Sequence, residues 1–328
     1  MKKYKFLRRL AAPGAVVIAL CIVPFFLRAY PIELLIMFFI NAITVVSFRL
    51  IITTGGYNLG HWVLVGCGAY ASAILGKSFG LPFAVTLPLG GVIAALVGLL
   101  LSYPLVRMRG FGFFIGSYAA GEAVRLCWIQ FHNPFGGING VSMIPSPGII
   151  SLLGLPTIDF HNDIPYYFLS LAVMLVCVFL MYQIDRSHLG YTFKAIHTDD
   201  LLAQCVGINI NRYRMLNFVI AAFFAGIAGA LLAYRVGAIE PRNFEIMGLV
   251  YVLIWAVFGG TDTFAGPLIG LTIFTVIFEA TRPLAAWRPM LFGAIMIVIL
   301  IYLPGGIGDA VTKLPSFFKR LYSKLRRE

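Results

Sequence analysis

SHLGYTFKAIHTDDLLAQCVGININRYRM, residues Ser187–Met215, is a polar, helix-capable stretch between two apolar runs, Ile164–Tyr182 and Met215–Tyr234. Each flanking run is long enough to cross a bilayer. Membrane proteins keep connections short unless something docks on them, and loops beyond ~12 residues are usually functional or disordered. The stretch therefore reads as a handle for a partner on one side of a membrane. The alternative is an ordinary solvated loop.

Composition agrees with that setting. Hydrophobic residues are 60% of the chain and charged residues 12%, about half the charged fraction of a soluble domain. The expected fold is all-α, a polytopic transmembrane helical bundle of about ten spans, with eight as the lower bound. The apolar runs are Leu10–Leu27, Pro31–Leu50, Leu59–Leu75, Leu81–Leu101, Phe111–Gln130, Ile164–Tyr182, Met215–Tyr234, Met247–Phe258, Phe264–Ala280 and Met290–Leu303. Pro24-Phe25-Phe26-Leu27 offers no small-residue cleavage site, so the first run is expected to be a retained helix. The eighth and ninth are parted only by Gly259–Pro267, so one broken or re-entrant segment is the alternative there.

Charge sets the expected orientation. With the N-terminus inside, 18 of the 25 Lys and Arg fall on the inner side, a positive-inside bias that places both termini and the 187–214 loop in the cytoplasm. No Lys or Arg occurs between Arg125 and Arg186, so the connection 131–163, rich in Gly, Pro and Asn, belongs outside. The expected organisation is a basic cytoplasmic N-terminus over 1–9, a membrane region over 10–310 and a basic cytoplasmic tail over 311–328.

The same distribution excludes other classes. The basic residues cluster at the ends of apolar runs, so the net charge of +12 reports topology and not nucleic-acid binding. The five Cys are odd in number, lack CxxC spacing and mostly lie in apolar runs, and the five His have no convergent spacing, so neither a disulfide framework nor a metal site is suggested. Ala71–Ser78, ASAILGKS, has Ala where a phosphate-binding loop needs its first Gly, and it continues a membrane run instead of following a strand. No nucleophile or paired-carboxylate pattern points to an enzyme, and no cofactor is expected on this chain.

Small residues four apart, Gly112-xxx-Gly116-xxx-Ala120, Ala222-xxx-Gly226-xxx-Ala230 and Gly266-xxx-Gly270, are read as packing faces. Glu122 and Arg125, one turn apart, are read as an ion pair, and Glu279 with Arg282 likewise. Thr53–Tyr57 interrupts the apolar pattern, and Asn41, Asn58 and His61 sit beside it. Broken helices expose polar groups that can line a pathway, so Asn41, Asn58, Gly60, His61 and Gly68 are the pathway candidates. For His61 two readings stand: it faces a cavity, or it hydrogen-bonds a backbone carbonyl to hold a kink.

Several segments together suggest a family. Asn58–Tyr70, NLGHWVLVGCGAY, closely resembles the "SLGHAAFFGIGAY" segment of branched-chain amino acid ABC-transporter permeases, the LivM-like branch. Gly190–Asp200 with Ala203–Asn209 resembles the family's cytoplasmic segment, Phe258–Pro267 its "GGxGTxxGP", and Leu303–Gly308 its "PxGLxG" ending. The likeness runs in order from about Pro31 to Gly308. His197-Thr198 replaces the family's Arg-Glu, and Trp62 and Val63 replace small residues.

The resemblance implies a permease of a bacterial or archaeal inner membrane, embedded in the lipid bilayer. Its partners would be a paralogous permease, two cytoplasmic ATPase subunits that use ATP and Mg, and an extracytoplasmic substrate-binding protein. It also implies a coupling helix within 187–214, carrying Ala195, Thr198, Asp199, Asp200, Leu201, Leu202, Ala203 and Gly207. Thr198 is the expected N-cap and Gly207 the C-cap, Asp199 and Asp200 favour the helix N-terminus, and Leu201, Leu202 and Val206 form an apolar docking face. Branched-chain or related amino acids are the implied cargo, moved by alternating access. The alternative is a stand-alone secondary transporter or channel, which the scarcity of carboxylates deep in the spans disfavours.

Overall fold

The computed structural model describes residues 18–108, 110–145, 147, 160 and 162–287, with positions 290, 293, 294 and 297 beyond. The termini over 1–9 and 311–328, most of the first and tenth apolar runs and part of the 131–163 connection lie outside the described residues. After a helical stretch at 18–22, the bundle is built from α1 (Ala29–Ile52), α2 (His61–Phe79), α3 (Phe83–Leu105), α4 (Phe111–Gln130) and α5 (Asp163–Arg186). Two short helices follow, α6 (His188–Thr198) and α7 (Asp200–Cys205), then α8 (Ile210–Val236), α9 (Ile246–Gly259) and α10 (Gly266–Ala280). The all-α expectation holds apart from a two-residue antiparallel ladder, Val141–Ser142 with Ala238–Ile239.

Among the described residues, six helical stretches are long and apolar enough to cross a membrane: α1, α2, α3, α5, α8 and Pro241–Gly259, while α10 is apolar but shorter. Two of the ten runs read from the sequence, the first and the tenth, lie mostly outside the described residues. Phe111–Gln130 has the length of a span, but Glu122 and Arg125 lie within it. The eighth and ninth runs form two antiparallel helices, and their joining turn reaches Arg49, whose Nε donates to the Thr261 carbonyl at 3.0 Å. The far end of α10 meets Tyr30, whose hydroxyl donates to Glu279 Oε2 at 2.7 Å. The hairpin thus lies along α1 between Tyr30 and Arg49.

α1 is apolar on all sides and buried along most of its length, from Ile36 to Ile52 with few breaks, as expected of a helix with neighbours all round. It ends where the Thr53 and Thr54 hydroxyls donate back to the Leu50 and Ile51 carbonyls and Gly55 turns to φ +85°. That turn is the predicted interruption. α8 packs against α1, α2 and α3. The predicted stripe Ala222, Gly226, Ala230 is fully buried there: a Cβ on Gly226 would meet Gly90 and Gly91, and one on Gly229 would meet the Val65 carbonyl. Gly266 and Gly270 allow an equally close approach of α10 to α9. The third stripe does not pack in this way, since Gly112 is exposed and Gly116 faces Met108.

Candidate functional site

The 187–209 segment folds back sharply on the end of α5. A Cβ at Gly190 would collide with the Asp185 carbonyl, so only glycine allows this return. α6 then buries Thr192, Phe193 and Ile196 and exposes Tyr191 and Ala195. The chain breaks at Asp199, which is extended at φ −159°, and its Oδ1 accepts from the amides of Leu201 at 2.8 Å and Leu202 at 3.1 Å.

This corrects the expected cap. Thr198 is the last residue of α6 and its hydroxyl donates to the Lys194 carbonyl, 2.9 Å away. The expected single helix over 198–207 is therefore a helix, a break and a helix. Asp is at least as strong an N-cap as Thr, and at Asp199 the cap satisfies two otherwise unpaired amides. Gly207, at φ +84°, terminates α7 in the left-handed conformation anticipated for it, and the Ile208 amide returns to the Ala203 carbonyl at 3.1 Å. Ala203 packs with Ile196 and Ile210 in a small separate core. Leu201, Leu202 and Val206 stand out from it, 66%, 66% and 75% exposed.

Two links fasten this projection to the end of α1, and a third ties α8 to the same place. Asp185, at the end of α5, accepts from Arg49 at 3.1 Å and from Lys194 of α6 at 2.9 Å. Arg214 of α8 bridges to both carboxylate oxygens of Asp200, 3.0 and 2.9 Å away, and donates to the Thr54 carbonyl at 3.3 Å. Asn217 donates to the Leu50 carbonyl and the Thr54 hydroxyl. Arg49 is almost wholly buried, where an unpaired cation is costly and the Asp185 carboxylate offsets it. The sequence reading missed Arg49, Asp185 and Arg214 as linkers. The available signal was an ionisable residue inside an otherwise apolar run, which holds for Arg49 in Pro31–Leu50 but not for Asp185, three residues past the end of its run.

Towards the other end of α1 lies an open cavity of about 390 Å³, lined by α1, α9, α10 and Trp62 at the start of α2. Asn41 is on its wall, as are Glu33, Tyr251, Trp255, Phe274 and Glu279. The other four pathway candidates sit elsewhere, in packing. Asn58 Oδ1 accepts from the Gly60 amide at 2.9 Å, and Gly60 lies against Gly121 and the Ser117 carbonyl of α4. His61 is fully buried, its Nε2 3.0 Å from the Ser47 hydroxyl and its ring 5.4 Å from Phe48. Gly68 is pressed against the backbone of Gly226. His61 is absent from the wall of that cavity, and its ring meets the Ser47 hydroxyl.

The other sequence-predicted pairs are present. Arg125 binds Glu122 and lies 3.7 Å from Glu245, and Arg282 is 3.6 Å from Glu279. No group of His, Cys, Asp and Glu among the described residues is arranged to hold a metal ion.

Comparison with known proteins agrees with this architecture. The family described as branched-chain amino acid transport system / permease component matches residues 30–302. The high-affinity branched-chain amino acid transport permease LivM of Salmonella typhimurium is 29% identical over 266 residues, covering 76% of this chain and 63% of the relative. The chain thus matches somewhat less than two thirds of that relative's length. LivH of the same organism is 30% identical over 139 residues, 42% of this chain and 44% of LivH. The autoinducer 2 import permease LsrC of an Enterobacter species is 26% identical over 153 residues, 44% of each chain. No solved structure matches.

Proposed function

The chain belongs to the branched-chain amino acid transport permease family, a multi-pass membrane permease and not a catalytic subunit, and from that premise we propose that it is half of the membrane pathway of an ATP-driven importer. The other half is a paralogous permease. Two cytoplasmic ATPase subunits dock on the 187–214 handle and supply energy from ATP and Mg, and an extracytoplasmic binding protein delivers branched-chain or related amino acids. The spans number about ten, with both termini in the cytoplasm, as the charge bias supports.

The observation that carries this reading is the apolar triad Leu201, Leu202 and Val206, exposed on a projection that two polar links fasten to α1. Exposed leucines on a rigid polar mount have the character of interface anchors. Closure of the ATPase pair displaces α6 and α7. The Arg49–Asp185–Lys194 and Arg214–Asp200 links carry that displacement to α1, which reaches the cavity about 12 Å further on at Asn41. The pathway then exchanges outward for inward opening.

Leu201→Asp combined with Leu202→Asp tests the assignment. Because central apolar anchors cost about 2 kcal/mol or more each on truncation, substrate-stimulated ATP hydrolysis by the reconstituted complex should fall by at least ~10-fold. ATPase subunits should also be lost from the purified complex. Unchanged hydrolysis with unchanged subunit content would overturn the docking role.

A further inference from the structure

The cavity beside Asn41 has a chemistry that family membership leaves open. Its wall is largely aromatic. Tyr251 and Trp255 of α9 lie 18° from parallel, while Phe274 of α10 stands at 65° to Trp255 with centroids 6.2 Å apart. Ring faces and ring edges are thus both presented, the two surfaces that an aromatic guest uses. Within this wall the indole Nε1–H of Trp255, a residue 8% exposed, finds no acceptor among the described residues. The neighbouring indole of Trp62, by contrast, donates to the Asn243 carbonyl at 2.9 Å. A buried donor left unpaired costs about 1–3 kcal/mol, and native proteins rarely leave one without a partner.

Among the described residues, Asn41 is the one carboxamide on the wall and no Lys or Arg lines it. The two wall carboxylates, at the Tyr30 end, already have partners: Glu33 binds Arg235, and Glu279 meets Tyr30 and Arg282. A solute of net negative charge therefore finds no counter-charge, whereas a zwitterion needs none. The rings narrow the class further: a side chain that is itself aromatic finds both faces and edges to pack against on this wall.

We propose, resting on the permease reading above, that this cavity is the solute-binding section of the chain and selects zwitterionic amino acids with aromatic side chains. The solute carboxylate accepts from Trp255 Nε1–H and from the Asn41 amide. The side chain lies among the rings of α9 and α10, and the ammonium points to the Glu33 and Glu279 end.

The test is equilibrium binding of radiolabelled amino acids to the full-length chain in nanodiscs. Phenylalanine should bind at least ~5-fold more tightly than leucine, and leucine more tightly than alanine. Trp255→Phe, which keeps the ring and removes the donor, should weaken phenylalanine binding about 10-fold, as expected for a hydrogen bond to a charged group. It should leave phenethylamine, the same molecule without the carboxylate, unaffected. If that variant fails to accumulate, Asn41→Asp reads the same anchor: it should weaken phenylalanine and not phenethylamine. Leucine bound as tightly as phenylalanine, or equal loss of both ligands on substitution, overturns this inference and leaves the importer reading standing. Binding of urea with no amino acid bound overturns this inference and the amino acid cargo proposed above, while the docking test of Leu201 and Leu202 decides the importer reading separately.

Discussion

Asp185 answers two cations at once, one buried and one half-exposed, and the two contacts differ in weight. Arg49 is 1% exposed at its side chain and Lys194 43%. Removing the carboxylate leaves the guanidinium of Arg49 in a dry environment, so Asp185→Asn is expected to destabilise the chain by about 3–5 kcal/mol. Lys194→Met, which removes a half-solvated partner, should cost under ~1 kcal/mol. Thermal unfolding of both variants in nanodiscs checks this, and equal losses would show that Arg49 does not depend on Asp185. Arg49 was visible in the sequence as one cation within an apolar run. Its partner, 136 positions away, was not, because pairing across a bundle depends on which helices become neighbours. The same limit explains the pathway residues. Asn58 and His61 lie near a helix break, a local signal that does not reveal which neighbours they pack against, and Trp255, whose indole has no acceptor among the described residues, lies in a plain apolar run.

At the scale of elements, the handle is two helices meeting at an extended residue. Its existence and its glycine stop were legible, since a polar stretch between membrane-length runs and a Gly before a new polar turn are local signals. The break was not, because Thr198 and Asp199 are both capping types. The cap should govern the order of the apolar anchors. Asp199→Ala is expected to cost α7 about 1 kcal/mol and to speed hydrogen exchange at the Leu201 and Leu202 amides, with little change at α6 amides; uniform acceleration across both helices would mean that they unfold as one unit. The α9–α10 hairpin shows the converse case. Gly259–Pro267 marked the turn between two runs in the sequence, but that the two helices lie along α1 is visible only from the contacts at Tyr30 and Arg49.

For the whole molecule, the charge-derived orientation makes a direct prediction. Cys205, exposed on α7, should react with a membrane-impermeant maleimide only after the vesicle interior is opened, in right-side-out vesicles. A cysteine introduced at Lys77, on the opposite end of α2, should react at once, while Cys67 and Cys177 are buried and should stay silent. Labelling of Cys205 from outside would invert the topology. α1 also has a consequence for the energetics of assembly. It is a single unbroken rod whose one end is held by Asp185 and whose wall of the cavity includes Asn41, so whatever strains one end is felt at the other. Linkage then has no preferred direction: if a docked ATPase changes the affinity for solute by some factor, bound solute changes the affinity for the ATPase by that same factor. An empty and a loaded permease would therefore hold their motor with different strengths, and cargo would itself act as a ligand for assembly.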